Sequence, residues 1–158
     1  MDAVREVTGS DTEVIFEQNP SAQTLASQDI SFAIVAVGEC PYVEYGGDSR
    51  ELPIHFNGAE IISLVADKVP TLVILIAGRP LVIEQRILDK VEAFVAAWLP
   101  GTEGGGITDV VFGDCGFQGR LPMTWFKGVD QLRSNAVEKS YDPLFPIGFG
   151  LTSKGEVL

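Results

Sequence analysis

Residues 31–37, Ser-Phe-Ala-Ile-Val-Ala-Val, form an unbroken apolar and largely β-branched run closed by Gly38. A strand with one wet face alternates apolar and polar residues, so a continuous run marks a strand covered on both faces. We read it as the central strand of a parallel sheet. On its C-terminal side, Gly38 to Pro53 is a Gly- and Asp-containing segment, longer than the roughly two to six residues of an ordinary βα loop and therefore a candidate for function. Asn57 is placed to cap a helix whose apolar positions Ile61, Ile62, Leu64, Val65 and Val69 recur at helical spacing, and Pro70 ends it. Thr71 to Ala77 repeats the buried-strand pattern and stops at Gly78-Arg79-Pro80. Residues 83–91 are predicted helical and 93–98 a third strand, and a Gly-rich turn leads into a short helix over 107–112. Upstream, residues 2–7 read as helix, 13–16 as a short strand and 17–29 as a loop with room for one helical turn. The remainder, rich in Gly, Pro and aromatics, is expected to form an extended tail laid over a partner surface. Strands alternating with helical stretches define an α/β fold with covering helices.

The chain has 158 residues, enough for about one domain. Hydrophobic residues make up 46% and charged residues 21%, the composition of a packed core rather than of disorder. A formal net charge of -11 repels phosphate backbones and anionic lipid surfaces, so neither nucleic acid nor a membrane is expected as partner. The longest apolar runs fall far short of the roughly 20 residues that span a bilayer. The opening Met-Asp-Ala-Val-Arg-Glu-Val interleaves charges with apolar residues and is not read as a cleaved export signal. Cys40 and Cys115 lack the spacing of a zinc or redox pair and read as two free thiols.

Ligands of open parallel sheets bind beyond the carboxyl ends of the strands. Three segments emerge there: 38–53, 78–80 and 99–106. The first carries Glu39, Glu44, Asp48 and Glu51, any of which can serve as a general acid or sit as a solvated surface charge. Gly104-Gly105-Gly106 lacks both the Lys-Ser/Thr of a P-loop and the spacing of a dinucleotide fingerprint, and close backbone packing is the simpler reading. His55 is the only histidine and no G-x-S-x-G elbow is present, which argues against a hydrolase triad. With one His and two distant Cys, no metal site and no cofactor are expected. Trp98 and Trp125 are possible sugar-stacking faces, although a Trp ending a strand more often fills core.

Five segments carry a family resemblance: SFAIVAVGECPYVEYGGD at 31–48, ILIAGRPLVIE at 74–84, AFVAAWLPGTEGGGITDVVFGD at 93–114, GFQGRLPMTWFK at 116–127 and YDPLFPIGFGLT at 141–152. In order and spacing the chain resembles, from about Asp2 to Thr152, the C-terminal domain of plant-type family 3 glycoside hydrolases, the β-D-glucan exohydrolases and β-glucosidases. The resemblance implies a three-layer α/β/α sandwich with a mostly parallel sheet. It also implies an active site shared between two domains. A barrel supplies an aspartate nucleophile, and a sandwich-domain loop supplies the acid/base as the second glutamate of a GE-x-PY-x-E-x-x-GD motif. That position is Glu44, which the resemblance makes the general acid/base of a retaining mechanism, with the two carboxyl groups about 5 Å apart. Glu39 in the same motif is read as structural, ending the strand or tying the loop. Arg79, Trp98, Glu103 and Arg120 match family motifs without a chemical role assigned to them.

The chain departs from the family pattern in lacking the N-terminal barrel and the first strand or strands of the sandwich, a GWT-like tryptophan loop included. The expected reading is therefore a partial family 3 C-terminal domain over 1–158, inactive alone because the nucleophile is missing. It would act on a β-glucoside or β-glucan only with a barrel in cis or in trans, and it is expected to be insoluble, oligomeric or partly molten when isolated. The competing readings are a non-catalytic carbohydrate-binding or interaction domain and an inert gene remnant. Full-length relatives of that family are typically secreted to the cell wall. Here the only N-x-S-like site, Asn19-Pro20-Ser21, is blocked by its proline.

Overall fold

A computed structural model of the chain describes residues 1–133 and 141–157. The part of the expected tail at 134–140 lies outside the described residues. The elements are α1 (Asp2–Thr8), α2 (Ala22–Ala26), β1 (Ala33–Gly38), α3 (Gly58–Ala66), β2 (Thr71–Ile76), α4 (Gln85–Leu88), β3 (Ala93–Ala96) and α5 (Gly104–Val111). Two short 3₁₀ turns, Glu44–Gly47 and Val129–Arg133, complete the order. No helix among the described residues is long and apolar enough to cross a membrane.

The chain divides into two compact units, the larger formed by Asn19–Leu99 and Phe126–Leu144. Its frame is a three-stranded parallel sheet in the order β1-β2-β3. β1 runs beside β2 from Ala33↔Thr71 to Gly38↔Ile76, and β3 joins the other edge from Leu72↔Ala93 to Leu75↔Ala96. The α/β fold with a parallel sheet is therefore as the sequence predicts, but the centre is β2 and not β1. Val73 and Leu75 are sealed from solvent, whereas in β1 only Val35 is fully buried and Ala36 is exposed. A run such as AIVAV suits an edge as well as a centre, because neighbouring strands, not composition, decide which residues are covered.

α3 lies on β1 and β2 and buries Ile62 and Val65 on its sheet-facing stripe. Asn57 does stand at its N-cap, yet in the left-handed conformation (φ 55°) and without a side-chain capping bond. The helix stops at Ala66, ahead of Pro70, whose carbonyl accepts from Ala33 N–H at 2.9 Å and so hands the chain over to the sheet. At the start of β2 the buried Thr71 hydroxyl is satisfied locally, donating to the Val69 carbonyl at 2.7 Å. α4 is one turn, shorter than the stretch 83–91 predicts; its inward residue Ile87 is 1% exposed. Because Leu75 is 1% exposed between two hydrogen-bonded neighbours, Leu75→Ala is expected to cost about 2–5 kcal/mol, read as a lower urea midpoint with an unchanged slope.

The smaller unit comprises Met1–Gln18, Pro100–Trp125 and Phe145–Leu158. α1 matches the helical reading of 2–7 and packs against α5. Residues 13–16 are not a strand: Val-Ile-Phe has the propensity, but no neighbouring strand pairs with it among the described residues. Gly104 to Gly106 are not a turn before a helix but the first residues of α5 itself. The described tail is not simply extended either. Trp125 and Phe145 pair in an antiparallel bridge, exchanging N–H···O bonds of 2.8 and 3.1 Å, and Phe145 stacks on Phe149 at 4.7 Å.

Candidate functional site

The segment leaving β1 at the carboxyl edge of the sheet is held by the segment leaving β2 at three points. Glu39 N–H donates to the Ile76 carbonyl at 3.2 Å, continuing the parallel ladder by one residue. At the far end, Val82 N–H donates to the Leu52 carbonyl at 2.8 Å, and Leu52, Ile54, Leu81 and Ile83 bury the loop's base. Between these anchors Arg79 does the rest. Its Nε and Nη2 both donate to Glu39 Oε1, at 2.9 and 2.7 Å, while Nη1 donates to the Gly47 carbonyl at 2.5 Å. The guanidinium also lies 4.6 Å over the Tyr42 ring, a cation–π contact.

The fit around this clamp leaves no slack. A Cβ on Gly47 would fall 2.3 Å from Tyr42 Cδ2, and one on Gly78 would fall 3.1 Å from the Tyr42 hydroxyl oxygen. Only glycine lets the loop close over the ring at Gly47. The Glu39 side chain is 3% exposed against 26% for Arg79, so the carboxylate is the more deeply desolvated partner. Its second oxygen, Oε2, is buried without a hydrogen-bond partner among the described residues. A buried carboxylate persists only where a cation and donors compensate it, and here that compensation is concentrated on Oε1.

Glu44 stands on the reach of loop between Glu39 and Gly47. It opens the 3₁₀ turn Glu44–Gly47 with φ 44°, a left-handed conformation that costs a non-glycine residue on the order of 1 kcal/mol. The turn closes through Gly46 N–H to Val43 O at 3.0 Å and Asp48 N–H to Tyr45 O at 3.1 Å. Glu44 is exposed, and its carboxylate makes no hydrogen bond or ion pair among the described residues. Val43 and Tyr45 on either side are exposed as well, at 81% and 87%. The result is an exposed carboxylate on a strained turn within a loop anchored at Glu39 and Gly47.

The other sequence candidates fall elsewhere. Asp48 follows the turn and is exposed, as is Glu51, whose N–H donates to Ser49 Oγ at 3.3 Å. His55 is half-buried, its Nδ1 accepting from Cys40 N–H at 3.5 Å. Cys40 and Cys115 are free and exposed thiols. Glu51 and His55 line an open cleft of about 600 Å³ together with Phe56, Glu60, Glu84 and Ile87. There the Arg86 guanidinium, donating to Glu84 at 2.6 and 3.0 Å, holds the Glu84 carboxyl below the usual carboxylate range. No group of three or more His, Cys, Asp or Glu side chains gathers to hold a metal among the described residues. Trp98 ends the strand region with φ 54° and its carbonyl accepts from Ala77 N–H at 3.1 Å. In the smaller unit, Trp125 is 3% exposed core, Glu103 precedes α5, and Arg120 Nη1 donates to the Gly148 carbonyl at 3.3 Å. Sequence reasoning gave Arg79 no role, because the burial of Glu39 and the parallel pairing that brings the two residues together are visible only in the structure.

A parallel α/β unit presenting a carboxylate at its carboxyl edge defines a class of domain, and comparison with known proteins narrows it. The family model for the glycosyl hydrolase family 3 C-terminal domain matches residues 1–153, and the chain belongs to that family. It is 29% identical over 146 residues to the lysosomal beta glucosidase of Dictyostelium discoideum, covering 84% of this chain and 18% of that protein. It is 27% identical over 151 residues to the periplasmic beta-glucosidase of Salmonella typhimurium, covering 80% and 20% respectively. Among solved structures, a beta-glucosidase from Listeria innocua bound to isofagomine shares the fold at TM-score 0.71 and 19% identity, over 85% of this chain and 23% of that one. The Chaetomium thermophilum beta-glucosidase matches at TM-score 0.60 and 28% identity, over 79% and 16%. The chain thus spans about a fifth of the length of the curated relatives it matches.

Proposed function

We propose that this chain is the acid/base-bearing domain of a retaining β-glucosidase-type hydrolase, acting on β-glucosides or β-glucans with a barrel domain that supplies the nucleophile in cis or in trans. One observation carries the reading: Glu44 is exposed, free of partners among the described residues, on a strained turn within a loop anchored through Glu39 and Gly47 at the carboxyl edge of the sheet. Unused strain at an exposed carboxylate has no structural return, and such outliers concentrate where chemistry is done. Glu44 would protonate the departing glycosidic oxygen and then take a proton from the water that hydrolyses the glycosyl-enzyme. No cofactor enters these steps. The names of the relatives, lysosomal and periplasmic, support an export-type location for the assembled enzyme.

A second reading is favoured by Tyr45, a residue 87% exposed beside Glu44, whose ring offers a flat face for a sugar. In that reading the loop binds carbohydrate without cleaving it. The two separate in one assay, hydrolysis of an aryl β-glucoside by the chain alone and by the chain mixed with a barrel of its family. Turnover in the mixture and in neither component alone is the expected result. Glucoside binding by the chain with no turnover in any mixture would favour the second reading, and turnover by the chain alone would place a nucleophile within it.

A further inference from the structure

Arg79 is spent on three acceptors that have nothing in common except the loop between them. Glu39 lies at the start of the loop, Gly47 at the end of its 3₁₀ turn, and the Tyr42 ring beneath the guanidinium. Glu44 stands between the two hydrogen-bonded anchors. A cation required only to neutralise Glu39 would need neither the Gly47 carbonyl nor the ring. The planar fork, by contrast, directs Nε and Nη2 to the Glu39 carboxylate and Nη1 to the Gly47 backbone carbonyl, and so ties the two ends of this stretch of loop together at once. The stretch of loop between those two anchors includes the left-handed φ of 44° at Glu44, a conformation that persists only where the surroundings over-determine it. Gly47, where any Cβ would strike the Tyr42 ring, shows how closely that over-determination is built.

We infer that Arg79 is the positioning residue for Glu44: through Glu39 Oε1 and the Gly47 carbonyl it holds the Glu44 turn in the one orientation from which proton transfer is effective. The inference rests on the acid/base reading of Glu44 and deepens it. Arg79 itself touches no substrate in this scheme. Its loss acts by freeing the turn, and misplacement of a catalytic group by about 1 Å is enough to cost on the order of a hundredfold in rate.

Two readouts on Arg79→Met and Arg79→Lys test it. The first uses the chain alone: hydrogen exchange at the Gly46 and Asp48 amides, which close the turn, against the Val73 and Leu75 amides of β2. In Arg79→Met the turn amides should exchange at least about tenfold faster while the β2 amides stay protected. Lys127→Met, which removes a cation paired with Asp142 in the same unit, should leave the turn amides unchanged. If Arg79→Met loses β2 protection as well, Arg79→Lys decides, since it keeps the charge but cannot fork. Turn amides that exchange at the wild-type rate in a folded Arg79→Lys and Arg79→Met overturn the inference. The second readout is turnover with the barrel. Arg79→Lys should lower kcat with little change in KM, and more for glucosides with poor leaving groups than for dinitrophenyl glucoside. A uniform loss across leaving groups, tracking the folded fraction, would reduce Arg79 to a structural residue. Should Glu44→Gln leave turnover unchanged, the acid/base reading fails by itself, and the exchange measurement still reports on the clamp.

Discussion

Glu44→Gln is expected to lower turnover of a poor-leaving-group β-glucoside by about 10²–10⁴-fold in the presence of the barrel, while dinitrophenyl glucoside loses far less in its first step. The asymmetry follows from what an acid does. An alkoxide leaves only with a proton supplied as the bond breaks, whereas a dinitrophenolate departs unaided. The second half-reaction, in which water attacks the glycosyl-enzyme, needs the same residue as base and slows for every substrate. Stability should not follow activity, because Glu44 is exposed and makes no hydrogen bond or ion pair among the described residues. A change within about 0.5 kcal/mol is expected for the glutamine variant. Glu44→Gly, which relieves the left-handed φ of 44°, should be the more stable by up to about 1 kcal/mol and equally inactive. Equal loss of the first, glycosylation step across all leaving groups, or a parallel fall in melting temperature, would mean that Glu44 holds structure rather than delivers a proton.

Gly38→Ala is expected to have a large effect on the fold. At the end of β1 a Cβ would sit 1.9 Å from the Ile76 carbonyl oxygen and 2.9 Å from its carbon, both backbone atoms of the central strand. No rotamer relieves such a contact, so β1 must separate from β2 at the point where Glu39 begins the loop. The cost is expected to reach about 3 kcal/mol or more, at the upper end of overpacking penalties. The break would also draw Glu39 from Arg79, so residual activity should fall even at temperatures where the variant stays folded. Gly46→Ala is the control: a Cβ there meets nothing within 4 Å, and its stability should stay close to that of the wild type. Chemical denaturation of the pair checks both, and similar midpoints would mean that the approach at Gly38 is not tight in solution.

The sheet was legible because parallel strands covered by neighbours leave a plain trace, as Thr71 to Ile76 does with five of its six residues buried. Strand order was not legible. AIVAV and TLVILI carry the same signal, and only the register shows that the second has a partner on each side. Local runs misled where tertiary context overrode them: Val-Ile-Phe at 14–16 has no strand to pair with among the described residues, and three successive glycines entered α5 despite the poorest helix propensity short of proline. Within the site, periodicity could not rank Glu39, Glu44, Asp48 and Glu51, and the family motif alone singled out Glu44. The clamp was hidden because Arg79 and Glu39 are 40 positions apart and meet only through parallel pairing of β1 with β2. The left-handed turn at Glu44 was hidden for the opposite reason, since a glutamate gives no local sign of positive φ.

The central claim is that Glu44 moves the protons of glycoside hydrolysis while another domain provides the nucleophile. Azide rescue of Glu44→Ala, assayed with the barrel on dinitrophenyl β-glucoside, tests it most directly. A small anion needs no general base and fits the space left by the side chain, so turnover should recover and the product should be the β-glucosyl azide, of retained configuration. An α-glucosyl azide would assign the nucleophile to Glu44, and turnover unaffected by either the substitution or azide would remove Glu44 from the chemistry.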